Sequence, residues 1–227
     1  MPTQIALSKK EYVYRTLKEE IVSGALEPDE RLVIDEVSQR LGTSAIPVRE
    51  ALQQLRADGF VVIEPYTGVR VAPISAGIIE EVFALLEAAE IISSRIACRY
   101  LTDADFAQIE TILRRMDENA ASGDLAGWTE DNRELHLFIC DRAGLSLLPV
   151  MLSMLLTHWS RFCHFYLYDV IARRIQTAQA EHWALLETLR TRDASAVAKL
   201  IQRHNRGALE DYQRYLQTRA RPATDGV

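Results

Sequence analysis

The chain has 227 residues, 48% of them hydrophobic and 26% charged, with 10 glycines and 7 prolines. That composition excludes a collagen-like, low-complexity or disordered chain and fits one large globular domain or two small ones. The net charge of −6 is shared by both parts: residues 1–73 hold 9 basic against 11 acidic side chains, and the remainder 17 against 21. A nucleic-acid partner therefore requires a local arrangement of arginines, with the acidic groups on the far faces. No apolar run approaches the roughly 18 residues that cross a bilayer, and the N-terminus MPTQIALSKKEY has neither the apolar stretch nor the cleavage site of a signal peptide. The expectation is a cytoplasmic protein with no membrane partner. Cys98, Cys140 and Cys163 stand far apart, in no CxxC pair, and read as reduced packing residues.

Within the first 73 residues, Tyr12, Val13, Leu17, Ile21 and Val22 recur at helical spacing until Gly24 and Pro28 stop the helix. Ile34, Val37 and Leu41 predict a short second helix closed by Gly42. A third runs through Val48, Leu52 and Leu55 to Gly59; Ser44 is placed to N-cap it, and Pro47 falls in its first turn, where a missing N–H costs nothing. Two β-branched runs, Val61-Val62-Ile63 and Val69-Arg70-Val71, flank Glu64-Pro65-Tyr66-Thr67-Gly68 and predict a small hairpin. Helix, helix, tight turn, helix, hairpin is the order of a winged helix-turn-helix. In that pattern Ser44 opens the helix whose N-terminus approaches phosphate, and Arg49 lies one turn further in, within reach of a phosphate or a guanine edge. Thr67-Gly68 at the hairpin tip permits close backbone approach, and Arg70 adds a cation beside it. The same pattern also serves protein contacts, so a protein-binding module stays open on pattern alone.

From Ala72-Pro73 onward the strand signal disappears. Helices are predicted at 75–100, 103–122, 125–143, 146–168, 171–191 and 194–218, with a Thr102/Asp105 capping box, N-caps at Asp124 and Asp193, and stops at Gly123 and Gly144. The fold class is mainly α: residues 1–72 a winged helix-turn-helix with a β-hairpin wing, 73–78 a linker, and 79–227 an all-helical bundle. Five histidines occur, at 136, 158, 164, 182 and 204. Asn132 stands four residues before His136, which puts both on one helical face, and antiparallel packing of the last two helices brings His182 and His204 opposite them. Ordinary half-buried histidines show the same spacing, and no HExxH or CxxC strengthens it. The aromatic run His158, Trp159, His164, Phe165, Tyr166 and Tyr168 lines either a pocket or a packed face, and Arg173-Arg174 reads as a solvated pair.

The residues are more specific than the pattern. Segments 21–32 (IVSGALEPDERL), 37–44 (VSQRLGTS), 47–52 (PVREAL) and 55–60 (LRADGF) resemble the DNA-binding domain of the GntR family of bacterial transcription regulators, over nearly all of residues 10–72. The resemblance implies a homodimer on a pseudo-palindromic double-stranded operator, with the start of the third helix in the major groove and the wing tip in the minor groove. Ser44, Arg49 and Gly68 match the family's DNA-contacting positions, and Pro47, Thr67 and Arg70 adjoin them. The position after Ser44, commonly an arginine, is Ala45, and Ile46 follows; fewer hydrogen bonds to base edges, or a different half-site, are expected.

Behind that reader, Asn132-Arg133-Glu134-Leu135-His136, Glu181-His182 and His204 resemble the ligand set of the FCD effector domain of the FadR-type subfamily. The resemblance implies a divalent metal ion, Zn with Ni or Mn as alternatives, on Asn132, His136, His182 and His204, with a small-molecule effector at the open positions. Asn132 in place of Asp removes a negative charge and lowers the expected affinity. Phe83 stands where many members carry an arginine one turn before the glutamate, here Glu87, so that helix lacks a carboxylate clamp. Either Arg95 or Arg161 substitutes, or the effector is less acidic or more aromatic; Phe83, Glu87, Arg95 and Arg161 are the candidate effector residues.

Taken together, the sequence reads as a ligand-responsive DNA-binding transcription regulator, more often a repressor in such families, and not an enzyme. The alternative is a metal-dependent hydrolase built on the three histidines. It requires a general base, and Glu181, next to His182, is expected to point to a different helical face.

Overall fold

The computed structural model describes residues 8–64 and 68–220 and falls into two compact units, Met1–Ile74 and Ser75–Val227. In the first, α1 (Lys9–Val22) buries Val13, Leu17 and Ile21, an i, i+4, i+8 stripe, after Ser8 caps its N-terminus by accepting from the Glu11 N–H at 3.1 Å. The second helix, α2 (Ile34–Arg40), is joined to α3 (Ala45–Ala57) by four residues that turn at Gly42, whose φ of +62° is the left-handed conformation. The Thr43 N–H donates back to the Ser38 carbonyl at 3.0 Å, a bond six residues to one that closes α2 as a Schellman motif does. A bidentate Arg40–Glu20 pair ties α2 to α1, and Val48, Ala51, Leu52 and Leu55 of α3 complete the core.

The wing contains the expected strand pair and adds a third strand to it. Strands β2 (Val61–Glu64) and β3 (Gly68–Val71) pair antiparallel, but a third strand, β1 (Arg31–Leu32), joins the far edge of β3 to give the order β1-β3-β2. Two residues are too short for periodicity to announce a strand; β1 exists because the open edge of β3 pairs with it, Arg31 opposite Arg70 and Leu32 opposite Val69.

In the second unit α4 (Ala76–Ala97) starts inside the segment read as a linker, capped by Ser75. It ends three residues before the predicted limit, where the Arg192 guanidinium donates to the Cys98 carbonyl at 2.6 Å and to that of Leu101. Next, α5 (Asp103–Ser122) opens with the Thr102/Asp105 capping box and stops at Gly123, φ +76°; α6 (Leu125–Asp141) is capped by Asp124. The helices predicted at 146–168 and 171–191 are instead one unbroken path: α7 (Leu148–Phe162), a π-turn (Cys163–Leu167), and α8 (Tyr168–Arg190). Between Val150 and Arg190 there is no glycine or proline to free a carbonyl, so the backbone absorbs the change of face by widening one turn. The last helix, α9 (Ala194–Ala220), lies against α4 and α8, and α4 also packs on α6 and α7. Cys98, Cys140 and Cys163 are free and buried. No helix among the described residues is long and apolar enough to cross a membrane.

Candidate functional site

Two groups of residues carry chemistry, one in each unit. In the first, the N-terminus of α3 is an exposed surface. Ser44 has extended N-cap geometry, yet its hydroxyl makes no capping bond, which leaves that oxygen and the first-turn N–H groups for an outside partner. Ile46 is 69% exposed, an unusual position for isoleucine on an otherwise amphipathic helix. Ala45 and Pro47 are half-buried, and Arg49 is exposed and forms no ion pair among the described residues. Gly68 opens β3 with φ +96°, a conformation that a side chain disfavours. Arg70 is half-buried and its Nη1 donates to the Asp29 carbonyl at 3.3 Å. Thr67 lies outside the described residues.

In the second unit three histidines from three helices converge. His182 and His204 have ring centres 4.9 Å apart; His136 is 5.6 Å from the former and 6.0 Å from the latter. One ligand nitrogen from each lies within 4.8 Å of the others. Helical spacing accounts for the convergence: Trp128, Asn132 and His136 recur every fourth residue along α6, and all three line one cavity. Asn132 is buried beside His136.

The rings are held by carboxylates. Glu90 of α4 accepts from the His136 Nδ1–H at 3.1 Å and from Asn205 at 2.8 Å; Glu181 accepts from the His204 Nδ1–H at 2.7 Å. With Nδ1 protonated, each ring presents a bare Nε2. His182 is 1% exposed, and among the described residues neither of its ring nitrogens has a hydrogen-bond partner. A neutral imidazole carries one lone pair and one N–H, both costly to bury unpaired, and a metal ion takes the lone pair. Burial, followed by the charges of His204 and His136, pushes the His182 pKa well below its ordinary value; burial also lowers that of His136. Both rings are thus neutral donors. Three imidazoles and an amide oxygen suit a borderline divalent cation, and the donor set fits one.

The cavity has a free volume of about 40 Å³ and is walled mainly by apolar and aromatic side chains, among them Phe83, Trp128, Trp159, Ile171 and Tyr212. Phe83 packs against Tyr212 with ring centres 5.1 Å apart. The other expected effector residues lie elsewhere. Glu87 is spent on Arg206 and Gln202 of α9, Arg95 is exposed on the last turn of α4, and Arg161 is buried in α7; none of the three lines the cavity. The guanidinium at the wall is Arg174, and it is not a solvated group: only 10% of its side chain is exposed, and it donates to Glu181 at 2.7 Å, to Asp211 at 3.1 Å and to the His204 carbonyl at 3.1 Å. Its position was readable, because residue 174 precedes 178 by four and 182 by eight on α8. Glu90 had a signal too, as an acid four residues after Leu86 in the buried stripe of α4. Glu181, expected on a different face, reaches the cluster through His204. Burial works to raise its carboxyl pKa, but the His204 bond, then the charges of His204 and Arg174, hold it below the usual range.

A hydrolytic centre needs a free base beside its open position. Glu90, the one carboxylate lining the cavity, already accepts two hydrogen bonds, and Glu181 is committed to His204 and Arg174.

Comparison with known proteins gives the same division. Residues 9–71 match the bacterial regulatory proteins of the gntR family, and residues 81–207 match the FCD domain. The HTH-type transcriptional regulator McbR of Escherichia coli is 26% identical over 207 residues, covering 89% of this chain and 93% of McbR. The HTH-type transcriptional repressor GlaR of the same organism is 25% identical over 197 residues, 84% of this chain and 90% of GlaR. The solved structure of E. coli McbR/YncC has a TM-score of 0.74 at 25% identity and covers 92% of this chain and 100% of that one. A GntR regulator from Rhodococcus sp. RHA1 shares the fold, with a TM-score of 0.74 at 20% identity over 91% of this chain and 98% of its own.

Proposed function

For a chain that belongs to the GntR family of DNA-binding bacterial transcription regulators and carries an FCD domain, we propose a homodimeric, metal-assisted repressor whose affinity for a pseudo-palindromic operator is set by a small molecule in the helical domain. The observation that carries the effector half is the orphaned His182 packed against two carboxylate-oriented histidines, which themselves line a largely apolar cavity. Asn132, His136, His182 and His204 hold the ion, and Glu90 and Glu181 orient two of the rings. When bound, the ion supplies Lewis-acid positions for an oxygen of the effector. The aromatic and aliphatic walls select a small, mainly apolar molecule, and Arg174, already neutralised by Glu181 and Asp211, orders α8 against α9. An effector that prefers one packing of these helices shifts the dimer between states of different operator affinity.

In the reader, Ser44 and the first-turn N–H groups of α3 meet a phosphate, Arg49 reaches a phosphate or guanine, and Gly68, Thr67 and Arg70 serve the wing. Ala45, Ile46 and Pro47 present no hydrogen-bond donor side chain, so Ile46 reads through apolar contact, as with a thymine methyl group.

Selection of bound duplexes from a random pool, with metal content measured on the same preparation, tests the proposal. Enrichment of a short palindrome by protein carrying a stoichiometric divalent ion is the expected result. No enrichment at low salt with metal present overturns it.

A further inference from the structure

The first unit has to gather cations from a chain that is acidic overall, and three of its nine basic side chains are already engaged. Arg15 pairs with Glu11, Arg40 with Glu20, and Lys18 lies 5.1 Å over the Phe60 ring. The wing sheet is different. Arg31 on β1 stands directly opposite Arg70 on β3 in the antiparallel register. Like charges facing each other across two strands are destabilising, and among the described residues neither arginine forms an ion pair with a carboxylate. Arg70 turns one nitrogen to the Asp29 carbonyl. Arg31 is exposed, and its guanidinium runs along the sheet to Gly68, where Nε and Nη2 lie 3.9 and 4.0 Å from the place a β-carbon on Gly68 would occupy. An uncompensated guanidinium pair beside a glycine of positive φ is an arrangement that an outside anion stabilises.

We infer that Arg31 together with Arg70 forms a phosphate clamp at the wing, taking a backbone phosphate of the duplex that α3 and the wing embrace; the inference rests on the reading of this unit as a DNA reader. The two-residue strand β1 has its role here, because pairing with β3 is what carries Arg31 to the wing. The clamp grips backbone and reads no base, so it adds affinity without sequence preference and compensates for the missing donor at Ala45. Gly68 keeps the approach to Arg31 open.

The test is a fluorescence-anisotropy titration of the full-length, metal-loaded protein on a selected duplex and on an unrelated one, between about 50 and 200 mM salt. Arg31→Ala and Arg31→Gln are each expected to weaken both duplexes by the same factor. They are also expected to make the slope of log K against log salt shallower by about 0.9 for each clamp lost, while the selected sequence stays the same. Arg31→Lys retains most of the slope. Arg49→Ala, by contrast, changes the selected sequence if Arg49 reads a guanine. Unchanged slopes in both Arg31 variants, with folded protein by circular dichroism and wild-type binding intact, overturn the clamp and leave the reader standing. Wild-type protein with no salt-dependent binding to either duplex overturns both.

Discussion

At the scale of single residues, the chemistry of the second unit turns on hydrogen-bond accounting. His136 and His204 each give Nδ1–H to a carboxylate and keep Nε2 bare, while among the described residues His182 has no partner at either nitrogen. If an ion completes His182, His182→Ala removes the metal measured by elemental analysis, and Glu181→Gln, which keeps the shape but weakens the grip on His204, lowers metal affinity about 10- to 100-fold. If the cluster were merely structural, His182→Leu would leave metal content unchanged and raise stability, since it removes two unsatisfied buried nitrogens. Thermal melts with and without chelator separate the two. The family resemblance, and not spacing alone, brought Asn132, His136, His182 and His204 together as a set. Spacing missed Glu90 and Arg174, since a charged residue inside an apolar helical stripe is visible as an oddity but not as a partner of a named group on another helix.

Among the elements, α5 offers the clearest electrostatic test. Asp105 belongs to its capping box and accepts from Arg142 at 2.6 Å and from the Thr102 N–H at 2.8 Å. The Arg142 bond, then the Thr102 backbone bond, lower its pKa to about 2. A carboxyl whose folded pKa lies below its unfolded value of about 3.9 adds stability that is fully present above pH 4 and lost as pH falls toward 2. Asp105→Asn is therefore expected to cost about 1 kcal/mol at pH 7, as a lost cap does, with the difference from wild type closing between pH 4 and 2 in urea titrations. The capping box itself was legible, because it is a contact between residues three apart. The π-turn was not: nothing in a single helix's periodicity says whether the Cys163–Leu167 segment breaks or widens, and only the packing of Phe162 and Cys163 on one side and Ile171 and Ile175 on the other decides it.

For the whole molecule, a ligand that binds only one folded unit stabilises that unit by mass action. A divalent ion at 100 times its Kd is expected to add about 2.7 kcal/mol to the residues 75–227 unit. Scanning calorimetry checks this: the transition assigned to that unit, by comparison with His182→Ala, should rise with metal and fall with chelator. A melt insensitive to both would count against the ion. The two units differ in what they present, the first an exposed helix end and a wing, and the second a cavity whose walls are mostly apolar.

By itself the sequence determined what depends on neighbours within about a turn: the caps of α5 and α6, the left-handed glycine in the α2–α3 turn, the faces that carry Asn132 with His136, and the family motifs of the reader. Tertiary structure decided what depends on groups far apart in the chain. It paired β1 with β3 and so brought Arg31 to Gly68; it turned Glu87 outward to Arg206 while sending Glu90 to His136; and it drew Arg174 from an apparent solvated pair into the wall of the cavity. The physical reason is that helical periodicity fixes which way a side chain faces along its own axis, whereas the identity of the group it meets is set by how the helices pack.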